Sequence, residues 1–318
     1  MPEKSPIKLY FLTGFLGSGK TTLMNNLLDY LAEKGEKAGV IVNEWGQVGI
    51  DGSLIHNHGI EIKELNNGQI FCSCLVGSFV KALVTFADYP LKYLLVETSG
   101  LANPVSLKNV LVSLKALTGI RYDYRGMISL VDPENFLDLV GTVNAVEEQV
   151  ISSQYLIINK IDLVDEETIC QVKEKIRELN HSAPVYQTSF SKVDTGIFDL
   201  DPRLGEIGDV VRNVKVPYKR PVHYVVTAEG KIDPAQVADF AQILLKDAFR
   251  IKGFINSEAG WFYLDGVNGK VDLRPVKAQG KETKIVIISR IWEEIVPNIK
   301  LTWQKYVGNP LKSSSKCV

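Results

Sequence analysis

A chain of 318 residues is long enough for about two domains, and 36 basic against 37 acidic residues exclude the electrostatic footprint of a general nucleic-acid binder. With 45% hydrophobic and 23% charged residues it reads as globular, without extensive disorder, and no apolar run approaches the ~20 residues of a membrane span. Cys72, Cys74, Cys170 and Cys317 are too few and too unevenly spaced for a disulfide framework, and the N-terminus lacks the apolar core of a signal peptide, so a cytoplasmic location is expected.

In chain order, continuously apolar runs predict strands over 7–12, 38–43, 93–98, 126–132, 155–159 and 183–189. Continuous rather than alternating apolarity is the pattern of strands buried on both faces of a parallel sheet. Helical patterns fall over 20–35, 77–87 and 166–180, the first closing at Gly35, a residue suited to end a helix. In the third, Cys170 is read as part of the inward stripe. Strand–helix alternation predicts an α/β fold, a doubly wound, mostly parallel sheet.

The texture turns polar and rich in turn residues after about residue 190, then a strand at 222–229, a helix at 234–247, strands at 260–266 and 284–290 and a last helix at 291–307 predict a smaller α+β domain. Trp261, Phe262 and Tyr263 are read as part of its core. The expected organisation is residues 1–205, a linker at 206–219, a second domain at 220–312 and a disordered tail at 313–318.

The chemistry begins at GFLGSGKTT, residues 14–22, which fits the phosphate-binding pattern G-x-x-x-x-G-K-[ST] and lies between a predicted strand and a predicted helix. Glycines let the backbone wrap an anion with its N–H groups, and the helix N-terminus adds positive potential. Gly14, Gly17, Ser18, Gly19, Lys20, Thr21 and Thr22 are the candidate phosphate contacts, with Lys20 on the β- and γ-phosphates and the Thr21 hydroxyl on Mg²⁺. ETSG at 97–100 ends the strand YLLVE; Glu97 is placed to act on Mg²⁺ or its waters, and Gly100 leaves room for a backbone N–H to meet a γ-phosphate. NKID at 159–162 then names the base. The Asp162 carboxylate accepts from guanine N1–H and the exocyclic amine, a pattern adenine does not offer. Asn159 would tether that loop, Lys160 would lie along the base plane, and Ser189 is counted among the nucleotide-binding residues. The ligand expected is GTP with Mg²⁺; NKID argues against an ATPase or nucleotide kinase.

The ordered motifs GFLGSGKTT, NEWGQVGID (43–51), ELNNG followed by cysteines (64–74), ETSGLANP and NKID together resemble the CobW-like family of P-loop GTPases, relatives of the nickel-inserting GTPases of hydrogenase and urease maturation. The resemblance spans residues 8–190, and the smaller domain also looks like that family's companion domain. It implies slow GTP hydrolysis coupled to delivery of a metal, zinc or cobalt, to a client metalloprotein or cofactor-pathway enzyme. It further implies that Asp51 senses Mg²⁺ and nucleotide, so that Lys20, Asp51, Glu97 and Gly100 carry the chemistry, and that Glu44 joins the cysteines at the metal. Where the family usually has Cys-x-Cys-Cys after ELxNG, this chain has Gln69 and Phe71 at the first two cysteine positions, Cys72 at the third and Cys74 two residues on. Two thiolates and Glu44 would form a three-ligand site for Zn²⁺ or Co²⁺, with water, a histidine or a partner completing it. Three readings of Cys72 and Cys74 stay open: metal ligands, buried small thiols and a redox pair. His56 and His58 are read as solvated, with a supplementary ligand role open. The loss of the cysteine triplet favours an alternative function, an accessory GTPase that remodels or loads a corrinoid- or cofactor-dependent enzyme without carrying free metal. No arginine finger or water-positioning glutamine is identifiable, so intrinsic turnover is expected to be slow, with a target or a nucleotide-dependent homodimer supplying acceleration.

Overall fold

The computed structural model describes residues 5–43, 61–65, 76–100, 104, 107–141, 143–193, 222–267, 269–277, 282–308 and 311–317, with 61–65 and 311–317 as backbone. The chain folds as two compact units, Met1–Val216 and Pro217–Val318. Glu44, Asp51, His56, His58, Cys72 and Cys74, and the expected linker at 206–219, lie outside the described residues.

In the first unit the strands are Ile7–Gly14 (β1), Ala38–Asn43 (β2), Glu61–Leu65 (β3), Tyr93–Glu97 (β4), Tyr122–Val131 (β5), Tyr155–Ile158 (β6) and Val185–Gln187 (β7). They form one sheet in the order β3-β2-β4-β1-β5-β6-β7, and every neighbouring pair is parallel. The helices are α1 (Lys20–Glu33), α2 (Val76–Phe86), α3 (Leu107–Thr118), α4 (Phe136–Leu139), α5 (Asn144–Ile151) and α6 (Glu166–Leu179). Central β1 shows why the strands are apolar throughout. Ile7, Leu9 and Phe11 pack with Phe79 and Leu83 of α2 and Val110 and Leu114 of α3. Tyr10 and Leu12, on the other side, pack with Leu23, Leu27 and Leu31 of α1. Both faces of the sheet are covered, and the expected doubly wound architecture is present.

Local chemistry sets the element ends. Past α1, Gly35 adopts φ 68°, and Gly35 N–H and Glu36 N–H donate to Ala32 and Leu31 carbonyls, both at 2.9 Å. Asp165 caps α6 by accepting from Thr168 N–H at 2.9 Å. The buried stripe of α6 is Ile169, Val172 and Ile176, at helical three- and four-residue steps. Cys170, expected on that stripe, is exposed, because one residue off it turns the side chain roughly 100° around the helix. β5 starts four residues earlier than expected; the register shift against β1 between Leu9 and Tyr10 is absorbed at Gly126 (φ 115°).

The second unit comprises β8 (His223–Ala228), α7 (Pro234–Leu244), β9 (Ala248–Ser257), β10 (Gly260–Val267), β11 (Lys270–Val276), β12 (Thr283–Ser289), α8 (Ile295–Tyr306) and β13 (Leu311–Cys317). Its antiparallel sheet runs β11-β10-β9-β12-β8-β13. Phe240 of α7 and Trp303 of α8 meet edge to face, with centroids 5.1 Å apart, in a core shared with Val226, Ile251, Leu264 and Ile285. Of the expected aromatic trio, Tyr263 is fully buried, while Trp261 and Phe262 are half-buried.

Three strands here depart from the apolar pattern that marks the others. β9 carries Arg250, Lys252 and a central Gly253, which interrupt its apolar run; the glycine is required, since a Cβ there would lie 2.2 Å from the Lys284 carbonyl oxygen of β12. β11 is an edge strand with Lys270, Asp272, Arg274 and Pro275, residues that protect an edge and disguise a strand. Residues 313–317, expected in a disordered tail, instead pair with β8 as part of β13. A polar segment can complete a sheet edge because pairing uses backbone groups, not apolar side chains.

His223 on β8 is 2% exposed, and burial pushes its pKa down from 6.5 to about 3. A folded value below the unfolded one means that its contribution is complete above the unfolded pKa and lost as pH falls toward the folded value. About 2 kcal/mol of stability should therefore be gone by about pH 5. The urea midpoint of wild-type protein should fall between neutral pH and pH ~5, and that slope should flatten in His223→Gln. Among the described residues no helix is long and apolar enough to cross a membrane.

Candidate nucleotide-binding site

Four parallel strands deliver the recognised motifs to one edge of the sheet. β1 ends at Gly14, β4 at Glu97, β5 runs into Asp132 and β6 into Asn159, all at carboxyl ends, where open α/β sheets bind ligands. The register pairs Leu12 with Glu97 and Gly14 with Leu130, so the loop after β1 opens between its two neighbours.

That loop is shaped by three glycines at positive φ: Gly14 at 134°, Gly17 at 78° and Gly19 at 106°. Any Cβ at Gly14 would stand 2.4 Å from the Leu130 carbonyl oxygen, and at Gly19 2.4 Å from Asn159 Nδ2. The backbone can wrap an anion here only without side chains. Lys20, 6% exposed, turns back over the loop and donates to the Gly14 and Phe15 carbonyls at 2.9 and 3.1 Å. An ammonium is thereby held against the loop's first turn. Ser18 is buried, with its hydroxyl unpartnered among the described residues, whereas Thr22 is exposed.

Thr21 Oγ1 donates to Glu97 Oε1 at 3.0 Å, across 76 residues of sequence. A hydroxyl and a nine-tenths-buried carboxylate at the open end of a phosphate loop are hard oxygen donors, which fits Mg²⁺. The following segment is fastened as well: Thr98 donates from N–H and Oγ1 to the Leu12 carbonyl at 2.9 and 3.1 Å.

Asn159 joins the NKID loop to the phosphate loop. Its Nδ2 donates to the Ser18 carbonyl at 2.8 Å and to Ser191 Oγ at 2.9 Å, while its Oδ1 accepts from Ser191 N–H at 2.8 Å. Lys160 has φ 61° and forms an ion pair with Asp132 Oδ2 at 2.8 Å. Asp162 lies in the 3-10 turn Ile161–Leu163, its side chain open to solvent.

Several participants had no motif to announce them. Ser191 donates through Oγ to the Gly19 carbonyl at 3.2 Å, and Asn26 of α1 donates to the carbonyls of Phe190 and Ser191 at 3.1 and 2.9 Å. Phe190 and Ser191 both hold positive φ, 56° and 53°, so the turn is kept in a conformation costly for such residues by these hydrogen bonds. The neighbouring Ser189 is half-buried, and its carbonyl accepts from Lys192 N–H and Thr188 Oγ1, both at 3.2 Å. Asp132 was legible only as a carboxylate ending an apolar run; nothing local marked Ser191 or Asn26.

Among the described residues no group of three or more His, Cys, Asp or Glu side chains could hold a transition metal. The candidate ligands Glu44, Cys72 and Cys74, and the candidate switch residue Asp51, fall outside the described residues.

A parallel sheet with a glycine loop, an inward lysine and a hydroxyl–carboxylate pair at its carboxyl edge defines a P-loop nucleotide-binding fold. The model of the CobW/HypB/UreG nucleotide-binding domain matches residues 8–187, and that of the cobalamin synthesis protein CobW C-terminal domain matches residues 222–295. The chain belongs to the CobW/HypB/UreG family. It is 32% identical over 199 residues to the zinc chaperone YjiA of Escherichia coli, covering 61% of each chain. It is 31% identical over 225 residues to the zinc-regulated GTPase metalloprotein activator 1 of Saccharomyces cerevisiae, covering 62% of this chain and 51% of that one. The chain thus spans about half to three-fifths of these relatives. The crystal structure of Zn(II)-bound YjiA GTPase from E. coli aligns with a TM-score of 0.47 at 22% identity, over 95% of this chain and 99% of that one.

Proposed function

We propose that this chain is a GTP-hydrolysing protein that uses its nucleotide state to control delivery of a transition metal, zinc or cobalt, to a client protein. The observation that carries the nucleotide half is the Asn159 brace, which locks the base-reading loop to the phosphate loop and so builds one continuous site from two motifs. Asp162, solvent-open beside it, is the guanine reader. Lys20 neutralises phosphate charge; its two carbonyl partners hold it over the loop beforehand, so little side-chain entropy is lost on binding. Thr21 and Glu97 would hold Mg²⁺, which when bound supplies charge neutralisation between phosphate oxygens. Asp51 and Gly100 are assigned to sensing the γ-phosphate, and Ser189 to the loop flanking the base.

The metal half rests on sequence and on the relatives, two of which are named for zinc. Glu44, Cys72 and Cys74 are the proposed ligands; the segment that contains them runs between β2 and α2 and is joined through β4 to the Glu97–Gly100 switch. Release of the γ-phosphate would then alter metal affinity and client docking together, as in other order–disorder switches.

Calorimetric titration tests both halves. Wild-type protein should bind GTP far more tightly than ATP, and should bind Zn²⁺ or Co²⁺ with an affinity that differs between GDP and a non-hydrolysable GTP analogue. Cys72→Ser/Cys74→Ser should weaken metal binding by more than about 100-fold and leave GTP binding intact. An unchanged metal titration in that variant would overturn the metal assignment in favour of an accessory GTPase that loads a cofactor-dependent enzyme without carrying free metal.

A further inference from the structure

Gly100, the residue proposed to sense the γ-phosphate, is held from two directions. On one side it lies directly against the phosphate loop: a Cβ on Gly100 would stand 2.8 Å from the backbone nitrogen of Leu16, 2.7 Å from its Cδ2 and 3.1 Å from its Cα. Leu16 itself is 6% exposed, and it follows the two residues whose carbonyls hold the Lys20 ammonium. Gly100 therefore rests directly on the glycine loop, at Leu16. On the other side, the Gly100 carbonyl accepts a hydrogen bond of 3.1 Å from Nε2 of Gln149.

Gln149 belongs to α5, which carries none of the sequence motifs and lies 49 residues further along the chain. It is 1% exposed, although glutamine is ordinarily a surface residue. α5 is anchored in turn: the Asn180 amide, at the end of α6, donates to the Val150 carbonyl at 2.8 Å and to the Ser153 carbonyl at 2.9 Å. A buried amide on a fixed helix is thus aimed at the carbonyl of the residue whose N–H is assigned to the phosphate present in GTP and absent from GDP.

We propose that Gln149 is the positioning residue of the γ-phosphate sensor: by holding the Gly100 carbonyl it sets the orientation of the adjoining peptide and so sets how strongly the site prefers GTP to GDP. The inference rests on the GTPase reading above. In this role Gln149 acts through the Gly100 carbonyl and not as a ligand of the nucleotide. With the donor removed, the Gly100 peptides are free to rotate on the Leu16 contact, and the cost falls only on the ligand that needs their alignment.

The test is a pair of variants in the full chain. Gln149→Met keeps the side-chain length and packing and removes the donor; Gln149→Glu keeps shape and polarity and sets an acceptor against the Gly100 carbonyl. Affinities for GDP and for a non-hydrolysable GTP analogue are measured by calorimetry, with turnover and thermal midpoint alongside. The expected result is an approximately fivefold weaker GTP analogue and a similar fall in kcat for Gln149→Met, a larger fall for Gln149→Glu, and GDP affinity within about twofold of wild type. Equal losses for both nucleotides, or a lowered midpoint with an unchanged GTP-to-GDP ratio, would show a purely structural role and overturn the proposal. Should Gln149→Met fail to fold, the ratio in Gln149→Glu decides. Wild-type protein that binds no guanine nucleotide would remove the GTPase reading itself, whereas a wild type that prefers GTP with variants that do so equally removes only the role of Gln149.

Discussion

Asp162→Asn should weaken GTP binding by about 10³- to 10⁴-fold while raising affinity for xanthosine triphosphate. The reason lies in one edge of the base. Guanine presents N1–H and an exocyclic amine, two donors that a carboxylate accepts together. An asparagine amide turns one acceptor into a donor, which opposes the amine and matches the 2-oxo group of xanthine. The surrounding loop should be unaffected. Asp162 is solvent-open, and the turn that carries it begins at Lys160, which sits at φ 61° and pairs with Asp132, next to Asn159 with its own bonds to Ser191. The thermal midpoint should therefore stay at its wild-type value, within the roughly ±0.5 kcal/mol of an exposed substitution. Competition between labelled GTP and unlabelled GTP, XTP and ATP is the measurement. Equal affinity of wild type and variant for GTP would remove Asp162 from the base pocket.

Gly19→Ala should cost about 100-fold or more in nucleotide affinity together with several kcal/mol of stability. Gly19 sits at φ 106°, and its missing Cβ leaves room for Asn159 Nδ2 at 2.4 Å and Ser191 Oγ at 2.8 Å from the point where that Cβ would stand. Alanine would meet backbone strain of about 1–3 kcal/mol. It would also drive Asn159 from the Ser18 carbonyl and Ser191 Oγ, leaving buried polar groups unsatisfied at about 1–3 kcal/mol each. The same displacement separates the base loop from the phosphate loop, which is why affinity and stability should fall together. Thermal unfolding and equilibrium dialysis with GTP measure the two effects. An Asn159→Ala background makes the collision specific: with the amide gone, Gly19→Ala should cost less than it does in wild type, a non-additivity expected of groups in contact.

How much of this was legible depends on sequence distance. The phosphate loop is a local object, a strand, a glycine turn and a helix within Ile7–Glu33, and its residue types dictate its geometry without help from the rest of the chain. The parallel sheet could be read because burial on both faces leaves strands such as YLLVE apolar at every position. The strands that could not be read were those where another requirement overrode that pattern: Gly253 making room for β12, charges and Pro275 guarding the edge at β11, and polar KSSSKC pairing through its backbone in β13.

The sequence by itself determined the chemistry on offer: a lysine and a hydroxyl beside a glycine loop, a carboxylate at a strand end and a second carboxylate in NKID, the one we propose reads guanine. Only the tertiary structure decided which groups meet them. Asn159 reaches Ser18 across 141 residues, Ser191 reaches Gly19 across 172, Lys160 reaches Asp132 across 28 and Gln149 reaches Gly100 across 49. Residues that bind a common ligand leave a motif because the ligand constrains residue type and spacing together. Residues that orient others need only one donor or acceptor at one point in space, a demand that single polar side chains from any strand end or helix can meet and that no local pattern records.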